Sequence, residues 1–148
     1  MDAFDTNLRR VLVSSLAEHG FAFDGGRVFR RPVTRSCVQL IDVQPGERLM
    51  ASQFTINLAI FEHAPDVSVM DPMKVREYHC PPERRQRLGL LVPSRWRALA
   101  RLPAIGMFFA PKDIWWSARG TRGLERAREA LLDFGLPWLE RNTPGNPR

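Results

Sequence analysis

Four side chains in this sequence could ligate a metal or support covalent catalysis: Cys37, His63, His79 and Cys80. Their spacing contains no Cys-x-x-Cys and no His-x-x-x-His, and neighbours such as His79 and Cys80 would point to opposite faces of a strand. A nucleophilic Cys80 would need His63 or His79 within hydrogen-bond reach and a third group to orient it, and no local motif supplies that set. In a chain with two cysteines, each thiol reads more simply as a small buried hydrophobe. Neither glycine-loop pattern that cradles nucleotide phosphates occurs, and Asp24-Gly25-Gly26 reads as a turn. Acid pairs such as Asp66 with Asp71, or Glu125 with Glu129, have the spacing of solvated surface charge. The sequence therefore leans away from an enzyme and calls for no metal or cofactor. An enzyme working through Cys80 and a histidine is the third-ranked reading.

Binding chemistry is better represented. The chain has 22 basic and 16 acidic residues, a formal charge of +6, yet residues 81 to 128 alone hold eleven bases against three acids. Arginine codon bias accounts for the scarcity of lysine but not for this clustering. Within the segment, Arg84, Arg85, Arg87 and Arg119 fall near Trp96, Trp115 and Trp116, with Arg95, Arg97, Arg101 and Arg122 beside them. Arginine forks pair with carboxylates and phosphates, and tryptophan offers a flat stacking surface. Three readings follow: a solvated rim over core tryptophans, a contact for an acidic protein partner, or a surface for single-stranded nucleic acid. The candidate contact residues are Arg84, Arg85, Arg87, Trp96, Trp115, Trp116 and Arg119. Since Trp115 and Trp116 alternate on a strand, at most one belongs in the core if the sheet has a wet side.

The elements that must position these residues begin with Gln53–Phe61, where Phe54, Ile56, Leu58 and Ile60 alternate with Thr55, Asn57, Ala59 and Phe61, the period of a strand. Asn57 on the second of these faces reads as a buried hydrogen-bonding residue in preference to a site residue. Residues 5 to 19 predict an amphipathic helix, capped by Asp5 or Thr6 and closed by Gly20. Phe21–Phe23 and Arg27–Arg31 around the glycine turn predict a hairpin that Pro32 ends, and Ser36–Gln44 resumes the alternation. The 63 to 82 connection, broken by prolines, is expected to be irregular, with one short strand near Val75–His79. Glu83–Leu91 could be helical or extended. A short helix at 95 to 102, a last strand at 113 to 117 and a helix from Thr121 or Gly123, interrupted by Gly135 and Pro137, complete the pattern. Strands joined by short loops pair antiparallel. The fold class is thus α+β: one domain over residues 5 to 140, an antiparallel sheet of about four to six strands with an N-terminal and a C-terminal helix on one face, and a free tail at 141 to 148.

Taken in order, the helix ending at Gly20-Phe21, Val28-Phe29-Arg30-Arg31, the Gln39 strand, Phe54-Thr55-Ile56-Asn57-Leu58, Cys80 followed by Arg87-Leu88-Gly89, and the Trp115-Trp116 pair resemble the bacterial domain of unknown function 4304 family over about residues 5 to 140. The sequence departs from that pattern in Ala59, where the family leads one to expect glycine, and in its proline-rich 63 to 82 connection. The resemblance implies an α+β domain and supplies no reaction, cofactor or substrate. No apolar run reaches the roughly 18 to 20 residues of a membrane span, and no basic n-region leads into an apolar h-region, so a cytoplasmic location is expected. The functional expectation is a non-catalytic binding or accessory module contacting a protein partner, with toxin neutralisation as one setting. Nucleic-acid binding is the alternative.

Overall fold

The alternation in Gln53–Phe61 has a direct counterpart in a computed structural model of the chain, which describes residues 2–63, 71–93 and 113–145. Here β4 (Gln53–Glu62) is the central strand of an antiparallel sheet that also contains β1 (Ala22–Phe23), β2 (Val28–Thr34), β3 (Cys37–Pro45), β5 (Arg85–Arg87) and β6 (Trp116–Ser117). The strand order is β1-β2-β3-β4-β5, and β6 pairs with β4 through Phe54↔Trp116 while β5 pairs with it through Asn57↔Arg87. Because β5 and β6 are both short, the same β4 edge receives both at different heights. This brings the two ends of the basic segment together.

Among the described residues, three helices accompany the sheet. Helix α1 is a continuous run built from Ala3–Leu8, a π-helical stretch Arg9–Val13 and Ser14–Ala17. A single turn, α2 (Leu88–Leu91), follows β5 directly. Helix α3 runs through Arg122–Ala130, a π-helical stretch Leu131–Gly135 and Leu136–Asn142. Leu8, Leu12, Leu16, Leu124, Leu131 and Leu139 of the two long helices are fully buried and pack with Phe54, Ile56, Leu58 and Ile60. These are the even-numbered residues of β4, so the period-two and helical patterns meet in one core. The result is the α+β domain with both terminal helices on one face that the pattern predicts.

The other face is not left wet. Val28, Val38, Leu40 and Ala59 lie under a strap that includes residues 71–80, and its Val75 and Cys80 are buried against them. Three corrections to the sequence reading come with this strap and its neighbours. The strand expected near Val75–His79 is replaced by 3-10 turns at Pro72–Lys74 and Glu77–His79, for which the Asp71 side chain accepts the Met73 N–H at 3.0 Å. Strand β2 continues through Pro32 and bulges only between Pro32 and Thr34. Pro137 does not end α3 either; the π-helical stretch just before it absorbs the missing N–H and the crowding.

The ends of the chain differ as well. Asp2, not Asp5 or Thr6, caps α1 by accepting the Phe4 N–H. The tail expected from 141 onward is anchored as far as Thr143, which is buried and takes a 2.6 Å hydrogen bond from Gln39 Nε2. The helix expected at 95 to 102, and Trp96 with it, lies outside the described residues.

Candidate functional site

Among the described residues, the candidate contact side chains separate into three environments. Trp116 is 7% exposed and packs on Phe54 with ring centroids 6.0 Å apart, so its indole belongs to the core and only its edge borders the cleft described below. Arg84 and Arg85 are committed within the fold. Arg84 donates to the Asn142 carbonyl at 3.1 Å and pairs with Glu62 at 3.4 Å, and Arg85 pairs with Glu77 at 3.3 Å. Arg87, Trp115 and Arg119 form the third group, where β5, β6 and the start of α3 converge.

Local sequence explains that convergence. Gly89 of α2 lies so close to the chain before β6 that a Cβ there would fall 2.4 Å from the Ile114 nitrogen. Gly123 in the first turn of α3 is seated on β6, where a Cβ would meet the Ser117 carbonyl at 2.0 Å. Two glycines thus let α2, β6 and α3 touch backbone to backbone. Arg87 donates to Asp113 at 2.8 Å, and its guanidinium lies 5.7 Å from the centre of the Trp115 ring. Beyond Trp115 a cleft of about 350 Å³ opens, lined by Trp115, Ser117, Arg119, Arg122 and Arg126.

Among the described residues, the side chains of Arg119, Arg122 and Arg126, like those of Arg35, Arg48, Arg128 and Arg141, have neither an ion pair nor a hydrogen bond, whereas Arg27, Arg30, Arg31, Arg76, Arg84, Arg85 and Arg87 all pair with an acid; what sets the three apart is that they line one cleft beside Trp115. Their placement has an electrostatic cost. Arg122 and Arg126 are a like-charge i,i+4 pair, which costs about 0.2–0.5 kcal/mol. Arg122 is also a cation in the first turn of α3, at the positive end of the helix dipole. Arg126 is not among the residues the sequence singles out. The readable signal was its i,i+4 relation to Arg122.

The second sheet face carries a separate, larger cleft of about 560 Å³, lined by Gln44, Asn57, Glu77, Arg85, Gln86 and Arg87 together with Pro82 and Leu90. Asn57 is 8% exposed and donates from Nδ2 to Gln44 Oε1 at 2.9 Å. Gln44 and Glu77 were not candidates at the sequence level because they are remote in the chain, one from β3 and one from the strap. No protein-family model, curated protein or solved structure matches the chain.

The cysteine and histidine chemistry is quiet. Burial first, then the Glu77 carboxylate, push the Cys80 thiol up to about 12, and burial likewise raises Cys37. His79 Nδ1 accepts the Arg76 N–H at 2.9 Å, and His63 Nε2 lies 3.1 Å from the Arg35 carbonyl oxygen. Cys80 has almost no thiolate near neutral pH, so iodoacetamide leaves it unmodified in the native protein and labels it after urea unfolding. Rapid labelling of native Cys80 would contradict this account. No group of three or more His, Cys, Asp or Glu among the described residues is arranged to hold a metal ion, and no helix among them is long and apolar enough to cross a membrane.

Proposed function

We propose that this chain is a non-catalytic binding module that contacts an acidic protein partner through the ridge formed by Arg87, Trp115, Arg119, Arg122 and Arg126. The observation that carries the reading is the set of three neighbouring guanidinium groups left without internal acids beside a half-buried indole. An arrangement that breaks local electrostatic preference is expected where a site has a use for it, and carboxylates of a partner would relieve the repulsion. Arginine and tryptophan are also the side chains most enriched among energetically dominant interface residues. An acidic protein fits better than nucleic acid because Trp116 is largely buried and Arg87 lies over one face of Trp115, which reduces the ring surface the ridge can offer to stacking bases.

Membership of the domain of unknown function 4304 family belongs to the same proposal. It is supported by the order of elements from the Gly20 helix end through the β4 strand to the tryptophan pair. A cytoplasmic setting is part of it too. The test is affinity capture from a lysate of the source cells, with and without nuclease. A stoichiometric acidic protein that survives nuclease is the expected result, and capture that vanishes with nuclease would overturn the reading in favour of nucleic acid. An empty capture would overturn it as well.

A further inference from the structure

The cleft on the second sheet face contains features that the arginine ridge does not explain. Its floor is Asn57, in the middle of the central strand and more than nine-tenths buried. Only the amide nitrogen of Asn57 is satisfied, by Gln44, while its Oδ1 has no hydrogen-bond partner. Asn57 lines the cleft, and an amide oxygen with no partner in the fold is an acceptor that a donor entering the cavity can reach. The cavity is large enough for a small molecule: about 560 Å³, within the range of ordinary ligand sites.

The walls carry opposite charges at a defined spacing. Arg87 stands directly opposite Asn57 in the β4–β5 ladder, and Arg85 stands opposite Ala59, two residues along. Glu77 reaches in from the strap to Arg85 with one carboxylate oxygen, Oε1, and its second oxygen has no partner. Arg85 and Arg87 are two residues apart on β5, roughly 7 Å along the strand, so the Glu77 carboxylate that meets Arg85 lies to one side of Arg87. Because Arg85 pairs with Glu77 and Arg87 pairs with Asp113, the site has no large net charge to offer a simple anion or cation. It suits a molecule that brings both charges on one short skeleton.

We propose that this cleft binds a small zwitterion of the amino-acid class, its ammonium group donating to Asn57 Oδ1 and Glu77 and its carboxylate accepting from Arg87. Leu90 and Pro82 supply the apolar wall for the remainder of the ligand. The site shares Arg87 with the ridge, but Asn57, Gln44 and Glu77 line a different cleft from Arg119, Arg122 and Arg126, so it does not depend on the partner reading.

The test is calorimetry and thermal shift on the full chain with each standard amino acid in turn, followed by N-acetylated and C-amidated analogues of any that bind. At least one amino acid is expected to bind saturably with one-to-one stoichiometry. Each blocked analogue, and the variant Glu77→Gln, is expected to weaken binding by about tenfold or more. A variant lacking Arg119, Arg122 and Arg126 is expected to bind the same amino acid unchanged, which separates this site from the ridge. Glu77→Gln is nearly isosteric, and the melting curve of the ligand-free variant establishes that it is folded. Asn57→Asp, which keeps the shape, provides a second folded variant and is expected to favour the ammonium end and disfavour N-acetylated ligands further. No saturable binding by any amino acid at about 10 mM would overturn the proposal. So would binding that survives N-acetylation or Glu77→Gln intact.

Discussion

Arg30→Ala is expected to lower the stability of the domain by about 2–4 kcal/mol, the cost of removing a buried side chain and leaving its acceptors short of a donor. Arg30 is 1% exposed on the second sheet face; its Nε donates to the Val75 carbonyl at 2.8 Å and its Nη1 to Asp24 at 3.1 Å. It thereby ties the strap to the sheet and the sheet to the β1–β2 turn. Without it, the Val75 carbonyl and the Asp24 carboxylate each lose a donor, and a cavity opens between the strap and the sheet. The melting temperature falls by roughly 10 °C.

A pH signature accompanies the loss. Burial by itself would raise the Asp24 carboxyl, but the N–H groups of Gly26 and Val28 together with Arg30 outweigh it and hold the group below its ordinary value. A depressed folded value means that Asp24 contributes stability above its unfolded pKa, near 4, and that the contribution is lost as pH falls through the lower folded value. Urea denaturation at neutral and at acid pH therefore shows a smaller acid-induced loss for Arg30→Ala than for the wild type. A change under about 1 kcal/mol at neutral pH would contradict the role given to Arg30.

The second large effect is expected at Gly89. A methyl group there would lie 2.3 Å from Asp113 Oδ1, 2.4 Å from the Ile114 nitrogen and 2.5 Å from the Ile114 oxygen, and two of these three are backbone atoms that cannot rotate aside. Gly89→Ala must therefore displace the chain entering β6. The expected cost is about 1–3 kcal/mol or more, as for overpacking a tight interior. The displacement should also break the Arg87–Asp113 pair and move Trp115, so capture of the partner weakens beyond what the stability loss explains. Tryptophan fluorescence and chemical denaturation check the two parts. A variant with wild-type stability and an unchanged emission spectrum would show that the contact of α2 with the chain before β6 is not as close as described.

Much of this fold was legible because its strongest signals are local. The β4 alternation sorts Phe54, Ile56, Leu58 and Ile60 onto one face, and the helical stripe of Leu124, Ala127 and Leu131 faces it across one core. Gly20, with φ of +82°, closes the first helix as its position suggests. What local pattern could not show was compensation. Pro32 sits inside a strand because a bulge follows it, and Pro137 sits inside a helix because a π-helical stretch precedes it. The strap residues Val75 and Cys80 looked like strand or loop because their partners, Val28, Leu40 and Ala59, are distant in sequence.

The site was legible in composition and not in arrangement. The clustering of arginine with tryptophan is a signal of composition, and of the candidates Arg87 lies over Trp115 while Trp115 and Arg119 line one cleft. Which arginines are already spent inside the fold depends on acids from elsewhere in the chain, Glu62 for Arg84 and Glu77 for Arg85. Which tryptophan is buried depends on β6 pairing with Phe54 of β4. Asn57 was read as a buried hydrogen-bonding residue, and its bond to Gln44 is that reading in place. Its open Oδ1 emerges only from the three-dimensional census of partners.

The most direct test of the central claim is to repeat the nuclease-treated capture with the triple variant Arg119→Ala, Arg122→Ala, Arg126→Ala beside the wild type, with melting temperatures measured on both. Since none of the three side chains bonds within the fold, the variant should melt within a degree or two of the wild type, or slightly higher as the repulsion is removed. Capture of the acidic partner should fall by at least tenfold. Equal capture by the folded variant would contradict the ridge as the contact surface, and a large drop in melting temperature would show that these arginines serve the fold instead.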